Sequence, residues 1–380
     1  MNLRRILAIS SISVFAAAAL VAPSIAAGNP NCTAVDGEYI VTFTKGAVVS
    51  NEVKNVNGKQ INPRFIYDAA INGFAGFLTG DQVCALQKRG NVLDVELDQV
   101  VTIDAVQSGA TWGLDRIDQQ SLPLNSTYSY TFSGAGVDAY VIDTGILGTH
   151  SEFAGRMGSG YSAISDGNGT TDCNGHGTHV AGTIGGTTYG VAKQATLIPV
   201  RVFGCTGSTT NSAIIGGINW AITNHLPGVK AVANMSLGGG ASSALDSAVN
   251  NLISDGVTVV VAAGNSKQDA CKSSPARVPA AITVAASDRN DVFATFSNRG
   301  RCVDIIAPGV AIDSAWFSGT TAVNSISGTS MASPHVAGAV ARALSANRSV
   351  TQVLVEASTS KVTRVPTGTP NKLLYIAPTN

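Results

Sequence analysis

Asp143, His176 and Ser330 are the residues of this sequence best suited to carry out chemistry together. Asp143 ends an apolar, strand-like run, His176 lies in the glycine-rich segment Asn174–His179, and Ser330 lies where a helical pattern begins. A serine hydroxyl becomes a nucleophile when a base takes its proton, and a carboxylate orients that base and stabilises its cation. The three residue types therefore fit the hydrolysis of a peptide or ester bond.

Asn265 is a fourth candidate, because it follows the strand-like run Val261–Gly264. Its amide can donate a hydrogen bond to the negative oxygen that forms on an attacked carbonyl, alongside the backbone N–H of Ser330. The first N–H groups of a helix have no partner within that helix, so they favour negative charge. Gly328 leaves room for a substrate to approach.

These residues need elements that bring them together, and apolar strands alternate with amphipathic helices from about residue 105 onward. The predicted elements are strands Ala139–Asp143, Thr196–Phe203, Ala231–Leu237, Val257–Ala263, Ala281–Ala285 and Cys302–Ala307, and helices Ser212–Asn224, Ala244–Ile253 and Thr329–Ala346. This alternation predicts an α/β fold with a doubly wound, mostly parallel sheet. Ligand sites of such sheets lie at the carboxyl ends of the strands, where Asp143 and Asn265 fall.

The preceding residues predict a secreted, extracellular protein made as a precursor. A basic start, an uncharged apolar run and small residues up to Ala27 are typical of a signal peptide over residues 1–27. Residues 28–104 predict a small α+β unit, and residues 105–380 a domain with the candidate catalytic residues. The elements predicted in the small unit are strands Glu38–Phe43, Asn72–Leu78, Val92–Leu97 and Val100–Ile103, and helix Gln82–Arg89.

Four segments resemble the subtilisin-like serine proteases (subtilases), especially the aqualysin-like members of the proteinase K branch. They are Val141-Ile-Asp143-Thr-Gly, Asn174-Gly-His176-Gly-Thr-His-Val-Ala-Gly, Ala262-Ala-Gly-Asn265 and Gly328-Thr-Ser330-Met-Ala-Ser-Pro-His, in the family's order. The resemblance implies a seven-stranded parallel sheet, preceded by a ferredoxin-like inhibitory propeptide that assists folding.

The same resemblance implies a serine endopeptidase that works through an acyl-enzyme and needs no cofactor for catalysis. Ser330 would be the nucleophile, His176 the general base and acid, and Asp143 the orienting carboxylate. The side chain of Asn265 and the N–H of Ser330 would form the oxyanion hole.

The resemblance further implies how a peptide substrate binds. An extended peptide would pair with two backbone edges, one of them at Gly204–Ser208. Such pairing recognises the main chain of the substrate more than its side chains. We therefore expect broad specificity, with apolar or aromatic residues favoured before the cut bond. The residues implied in the other edge and the pocket are Ser236, Leu237, Gly238, Ala262 and Gly264.

The first substrate is expected to be the protein's own chain. Ala105–Leu114 resembles the mature N-termini of the family, which predicts self-cleavage after Asp104. Aspartate suits an apolar pocket poorly, but a tethered segment has a high effective concentration. The expected partners are therefore protein and peptide substrates and the propeptide as inhibitor.

Six cysteines in an exported chain suggest disulfides, and six allow fifteen pairings. The family resemblance selects Cys173–Cys205 and Cys271–Cys302. A pair between Cys32 and Cys84 is a further expectation within the propeptide.

Structural calcium is the ion that the resemblance implies, because hard cations bind oxygen ligands. The first set of possible ligands, which resembles an aqualysin-like calcium loop, is Asp115, Asp118, Gln119, Asn125 and Thr127. A second set, similar to one in proteinase K, is Asp304 with the backbone carbonyls of Pro279 and Ala281. A third set is Asp166 and Asp172.

Charge and motif order weigh against other classes of protein. Lys and Arg total 24, as do Asp and Glu, without a basic run, so nucleic acid is not an expected partner. We expect a monomer that has no membrane contact once mature. An α/β-hydrolase esterase would carry Gly-x-Ser-x-Gly and place its histidine last, whereas here the motif ends in Ala332. A catalytically inactive homologue retained for binding is the alternative, although no triad residue is missing.

The other four histidines are not expected to catalyse. His179 and His335 follow His176 and Ser330 at spacings that should not face the same point, so both are interpreted as packing residues. His150 and His225 are expected at the surface.

Overall fold

The computed structural model describes residues 32–98 and 105–377. They form two compact units, which divide between residues 101 and 102. The predicted signal peptide, the predicted strand Val100–Ile103 and the predicted cut after Asp104 lie outside the described residues. Within the described residues, no helix is both long and apolar enough to cross a bilayer.

The first unit is an antiparallel sheet with two helices. Its elements are β1 (Gly37–Phe43), α1 (Val49–Glu52), β2 (Phe65–Tyr67), β3 (Gly73–Leu78), α2 (Gly80–Gln87) and β4 (Val92–Leu97). The strand order β2-β3-β1-β4 is the predicted ferredoxin-like arrangement. Helix α2 begins with a capping box, in which Thr79 and Gln82 each accept the other's backbone N–H. Val41, Phe74 and Leu86 are fully buried between sheet and helix.

The second unit holds the candidate catalytic residues. Its helices are α3 (Trp112–Ile117), α4 (His176–Gly185), α5 (Asn211–Asn224), α6 (Ser243–Ser254), α7 (Thr329–Ser345) and α8 (Thr351–Glu356), with 3₁₀ turns at Ser151–Phe153 and Ala270–Lys272. Its strands are β5 (Ala105–Ser108), β6 (Thr127–Tyr130), β7 (Val137–Asp143), β8 (Tyr161–Ser162), β9 (Thr196–Arg201), β10 (Lys230–Met235), β11 (Gly239–Gly240), β12 (Thr258–Ala262), β13 (Ser273–Ser274), β14 (Ile282–Ser287), β15 (Ile305–Pro308), β16 (Ile312–Ala315), β17 (Val323–Ile326), β18 (Ser358–Thr359) and β19 (Lys372–Leu373).

The central sheet confirms the predicted doubly wound fold. Its strand order is β18-β19-β15-β14-β12-β10-β7-β9-β8. The seven strands from β15 to β8 are parallel, and the two-residue strands β19 and β18 extend one edge, with β18 antiparallel. The predicted strands of this sheet differ from the observed ones by up to three residues at their ends.

Helices cover both faces of this sheet, as neighbouring residues of β7 show. Val141 belongs to the core that includes residues of α4 and α7, whereas Ile142 belongs to the core that includes residues of α5 and α6. Both are fully buried, because successive side chains of a strand point to opposite faces. A sheet covered on both faces needs nearly continuous apolar strands, which is the pattern in the sequence.

The histidines correct one expectation and confirm another. His150 and His225 were expected at the surface but are only 2% and 8% exposed, because neighbouring segments cover them. The ring of His150 contacts the Ala322 carbonyl at 2.9 Å, and that of His225 contacts Asp255 at 2.8 Å.

His179 and His335 are packing residues, as predicted. Each ring contacts a backbone carbonyl at 2.8 Å, that of Ile312 for His179 and that of Met331 for His335. Burial lowers the pKa of each to about 4, so both rings are neutral at pH 7.

Candidate active site

Three elements and one loop bring the predicted catalytic residues to a single cavity of about 670 Å³. Asp143 is the last residue of β7, His176 the first of α4, and Ser330 the second of α7. Asn265 lies three residues beyond β12. All four line this cavity at the carboxyl end of the parallel sheet, where the doubly wound topology places ligand sites.

Asp143 and His176 form the most closely defined contact of the site. His176 Nδ1 lies 2.8 Å from Asp143 Oδ1, which also accepts the N–H of Thr144 at 2.7 Å. Burial lowers the pKa of His176, but attraction to Asp143, their hydrogen bond and the charge of Asp172 outweigh it and raise that pKa. The carboxylate favours a proton on Nδ1, which leaves Nε2 of the neutral ring as a base.

Glycines on both sides of His176 allow this approach. Gly175 has φ 108°, and a Cβ there would lie 2.5 Å from the Trp316 ring. A Cβ on Gly177 would lie 2.2 Å from the carbonyl oxygen of Gly145. A larger residue at Gly177 would push the start of helix α4, and with it His176, away from Asp143, and one at Gly175 would clash with Trp316.

Ser330 is held by Ser236, the residue that follows strand β10. Its Oγ donates to the Ser236 carbonyl at 3.2 Å, and the Ser236 hydroxyl donates to the Ser330 carbonyl at 2.8 Å. Ser236 Oγ in turn accepts from Asn234, which accepts from the Ser333 hydroxyl. Such hydroxyls commonly turn to the catalytic base only when substrate binds.

Asn265 presents its amide N–H₂ group because its oxygen is engaged. Asn265 Oδ1 accepts the N–H and the hydroxyl of Thr329, each at 2.9 Å. The loop beyond Asn265 is braced by buried Asn298, whose Oδ1 accepts N–H groups of Ser266 and Gln268 at 3.0 and 3.1 Å. Sequence reasoning missed Thr329 and Asn298, since neither has a chemical signature apart from its contacts.

The predicted substrate residues all line the cavity. Ser236, Leu237 and Gly238 follow strand β10, Ala262 ends strand β12, and Gly264 follows it. In the predicted segment Gly204–Ser208, the cavity is lined by Gly207.

Lys272 is an unpredicted charged residue of the cavity. It is exposed, and among the described carboxylates none forms an ion pair with it. Pairing of β11 with β13 sets Gly240 opposite Ser273, the neighbour of Lys272. The lining of the cavity therefore includes one lysine beside strand β13.

Comparison with protein families assigns the two units. A model described as Subtilase family matches residues 134–369, and one described as Peptidase inhibitor I9 matches residues 38–104. The chain belongs to the subtilase family. The resemblance in the sequence motifs is thereby confirmed.

Individual proteins similar to this subtilase support the same family assignment. The extracellular serine proteinase of Thermus sp. (strain Rt41A) is 55% identical over 316 residues, 82% of this chain and 77% of that protein. Alkaline serine exoprotease A of Vibrio alginolyticus is 46% identical over 370 residues, 91% of this chain and 68% of that protein. A crystal structure of a cold adapted subtilisin-like serine proteinase has 51% identity and a TM-score of 0.68, covering 70% of this chain and 98% of that one. The subtilase is a secreted serine protease with an inhibitor-type propeptide domain.

The subtilase forms the three expected disulfides. The Cα–Cα separations are 5.7 Å for Cys32–Cys84, 4.9 Å for Cys173–Cys205 and 5.3 Å for Cys271–Cys302, all usual for disulfides. Cys173–Cys205 joins the segment before His176 to the predicted substrate edge at Gly204–Ser208.

The first predicted calcium set of the subtilase lies in helix α3 and the residues that follow it, and it fits a cation. Asp118 Oδ1 is buried without a hydrogen-bond partner among the described residues, while Oδ2 accepts the N–H of Ser129 at 2.7 Å. Burial and the neighbouring charge of Asp115 raise the pKa of Asp118 to about 6. A buried, unpaired carboxylate oxygen beside a second carboxylate is an arrangement that a cation would stabilise.

The other members of this set already have partners. The carboxylate of Asp115 accepts a hydrogen bond from the Gln119 amide, and a half-turn of that amide would present its oxygen instead. Asn125 Oδ1 accepts the N–H and hydroxyl of Thr127 at 2.9 and 2.6 Å. The Asp115 carboxylate also accepts the N–H groups of Asn125 and Ser126 at 3.1 and 2.7 Å. Asp118 Oδ1 is therefore the atom of this set best placed to hold calcium, with the negative charge of Asp115 beside it.

The second and third sets are less suitable. Asp304 and Pro279 line a cavity of about 560 Å³ that Arg301 also lines, one oxygen of Asp304 already accepts the N–H of Thr283 at 2.8 Å, and Ala281 is buried. Asp166 pairs with Arg201 at 2.6 and 2.7 Å, and Asp172 accepts five hydrogen bonds, which leaves neither carboxylate free for a cation. Asp166 also lies near Cys173 and Cys205, but their disulfide leaves no thiolate to bind metal.

Proposed function

We propose that residues 105–380 form the mature protease, an endopeptidase of broad specificity that works through an acyl-enzyme. The 2.8 Å contact between His176 and Asp143, in the cavity that Ser330 and Asn265 also line, is the observation that carries the proposal. The cavity thus holds a candidate nucleophile, an oriented candidate base and a candidate oxyanion donor.

The roles follow from this geometry. Ser330 Oγ attacks the carbonyl carbon of the peptide bond while His176 Nε2 takes the hydroxyl proton, and Asp143 stabilises the imidazolium that forms. The Asn265 amide and the Ser330 N–H hydrogen-bond the resulting oxyanion. His176 then gives the proton to the leaving amine as the C–N bond breaks, and water, activated by His176, hydrolyses the ester on Ser330.

The substrate is an extended peptide that lies between the cavity walls. Ser236, Leu237 and Gly238 pair with its backbone, and the small residues Ala262 and Gly264 leave space for the side chain before the cut. Because these positions offer apolar surface and little shape restriction, apolar and aromatic side chains are favoured. Strict preference for arginine or lysine at that position would contradict this proposal.

The propeptide over residues 28–104 inhibits the enzyme until it is cut away, and the enzyme itself makes the cut after Asp104. Calcium held by Asp115 and Asp118 has a structural role. It neutralises the carboxylates of buried Asp115 and half-buried Asp118 and joins helix α3 to the loop that follows it.

Covalent labelling tests the function itself. A fluorophosphonate probe should label the processed, secreted protein at Ser330, with the site identified by peptide mapping. Ser330→Ala and His176→Ala should not label. A processed protein that neither labels nor cleaves peptides would instead support the inactive, binding homologue.

A further inference from the structure

The buried carboxylate of Asp172 lies four residues before His176 and is 4% exposed. Its Oδ1 accepts the hydroxyl of Thr144 and the N–H groups of Asn174 and Gly175, each at 2.9 Å. Its Oδ2 accepts the N–H of Thr178 at 2.9 Å and the hydroxyl of Thr178 at 2.6 Å. Five donors thus converge on one buried anion, far more than a surface carboxylate receives.

The groups that Asp172 holds are those that flank the candidate base and its carboxylate. Thr144 directly follows Asp143, and its Oγ1 also accepts the N–H of Gly177 at 2.8 Å. The donors to Asp172 and Thr144 therefore come from both neighbours of His176 along the chain. One carboxylate connects the end of strand β7 to the first turn of helix α4.

We propose that Asp172 is a positioning residue, which sets the His176 ring against Asp143 through Thr144 and the first turn of α4 and adds a second negative charge near the ring. The inference rests on the proposed role of His176 as general base. Asp172 touches neither substrate nor the reacting atoms, so it acts entirely through the residues it holds.

The other charged groups near Asp172 and His176 do not cancel the effect of the negative charge of Asp172 on the His176 ring. Asp143 on β7 contacts His176 directly, and His179 on α4 is neutral at pH 7. Arg201 on β9 is the nearby cation, and its guanidinium is paired with Asp166 at 2.6 Å. Both negative charges near His176, those of Asp143 and Asp172, favour its imidazolium form.

Asp172→Asn is the variant that tests the proposal, because the amide keeps the shape but loses the charge and one of the two acceptor atoms. We expect kcat on a peptide substrate to fall about 10- to 100-fold with little change in KM. The acid limb of the pH profile of kcat/KM should move to lower pH, because the imidazolium loses a stabilising charge. A merely structural role would not move that limb.

Asp166→Asn is the matched control. It removes one negative charge from the same stretch of chain, but Asp166 faces Arg201 and is not bonded to the segments that flank His176. Because this variant also frees Arg201 from its ion pair, it should move the acid limb less than Asp172→Asn does. An equal shift in both variants, or an unchanged kcat and acid limb in Asp172→Asn, would overturn the proposal.

Two further measurements cover the case in which Asp172→Asn is not processed. In the full-length chain with Ser330→Ala, NMR titration of His176 should give a lower midpoint with Asp172→Asn than with Asp166→Asn. Thr144→Val should lower kcat, because it breaks the link from Asp172 to Gly177, and Thr144→Ser should restore it. Equal midpoints, or equal kcat for valine and serine, would also overturn the proposal. A wild-type protein without peptidase activity would refute the proposed function instead.

Discussion

Thr329 donates two hydrogen bonds to Asn265 Oδ1, one from its N–H and one from its hydroxyl, each at 2.9 Å. Thr329 directly precedes Ser330, so this contact sets the candidate oxyanion donor and the candidate nucleophile relative to each other. The Thr329 hydroxyl also accepts the N–H of Gly264 at 3.0 Å, which joins the start of α7 to the pocket wall.

Asn265→Ala should lower kcat by about 10²- to 10³-fold, the loss found for the equivalent donor in subtilisin itself. KM should change little, because the donor acts mainly on the charge that develops in the transition state. Steady-state kinetics on a chromogenic peptide would measure both values. Thr329→Val keeps Asn265 but removes one of the hydrogen bonds that orient it, so its kcat should fall less than that of Asn265→Ala. Equal kcat for Asn265→Ala and the wild type would refute the oxyanion role.

The activity of the processed enzyme should fall on acidification through a pKa above 6.5. The pKa of His176 is raised from 6.5, and only the neutral ring can accept the serine proton, so protonation removes activity. A profile of kcat/KM from pH 5 to 9 measures this limb. Asp143→Asn should lower kcat by about 10⁴-fold, as the corresponding change does in other serine proteases. An acid limb well below 6.5 in the wild type would contradict the assignment.

Ser330→Ala should leave the chain uncut between its two units, because the proposed self-cleavage needs the nucleophile. Secreted wild-type protein should begin at or near Ala105, as N-terminal sequencing would show. Ser345→Ala is a suitable control, since it alters a serine at the far end of the same helix, outside the cavity lining. Normal processing of Ser330→Ala would mean that another protease makes the cut.

Lys272 should make the pocket accept acidic side chains, which would also help the cut after Asp104. Lys272→Met should lower kcat/KM for peptides with Asp or Glu before the cut by up to about fivefold, the usual size for an exposed ion pair. The kcat/KM for peptides with Leu or Phe before the cut should stay unchanged. Lys267→Met is the control, because this exposed lysine does not line the cavity. An equal loss for acidic and apolar peptides would contradict the prediction.

Calcium should raise the melting temperature, and a chelator should lower it. At calcium about 100-fold above its Kd, linkage gives about 2.7 kcal/mol, or roughly 5–10 °C for a domain of this size. The increment should shrink below pH 6, because the pKa of calcium-free Asp118 is about 6 and the protonated acid is a poor ligand. Asp118→Asn should abolish most of the increment, whereas Asp304→Asn should not. An unchanged melting temperature in chelator would rule out the site.

The sequence by itself determined the fold class and the candidate chemistry. Continuous apolar strands predicted a sheet covered on both faces, and the motifs around Asp143, His176, Asn265 and Ser330 identified the family. Local patterns suffice to predict the fold class and the family, because hydrophobic periodicity and short motifs depend only on residues that are neighbours in the sequence. Strand ends were predicted less well, since pairing with other strands decides where each one stops.

Only the tertiary structure decided which side chains surround these motifs. The burial of His150 and His225, the unpaired oxygen of Asp118 and the position of Lys272 in the cavity all depend on residues far away in the chain. The five donors of Asp172 lie nearby in sequence, apart from Thr144, yet nothing in the pattern shows that they converge. Burial and hydrogen bonding are properties of the assembled neighbourhood, because each depends on what the rest of the chain places there.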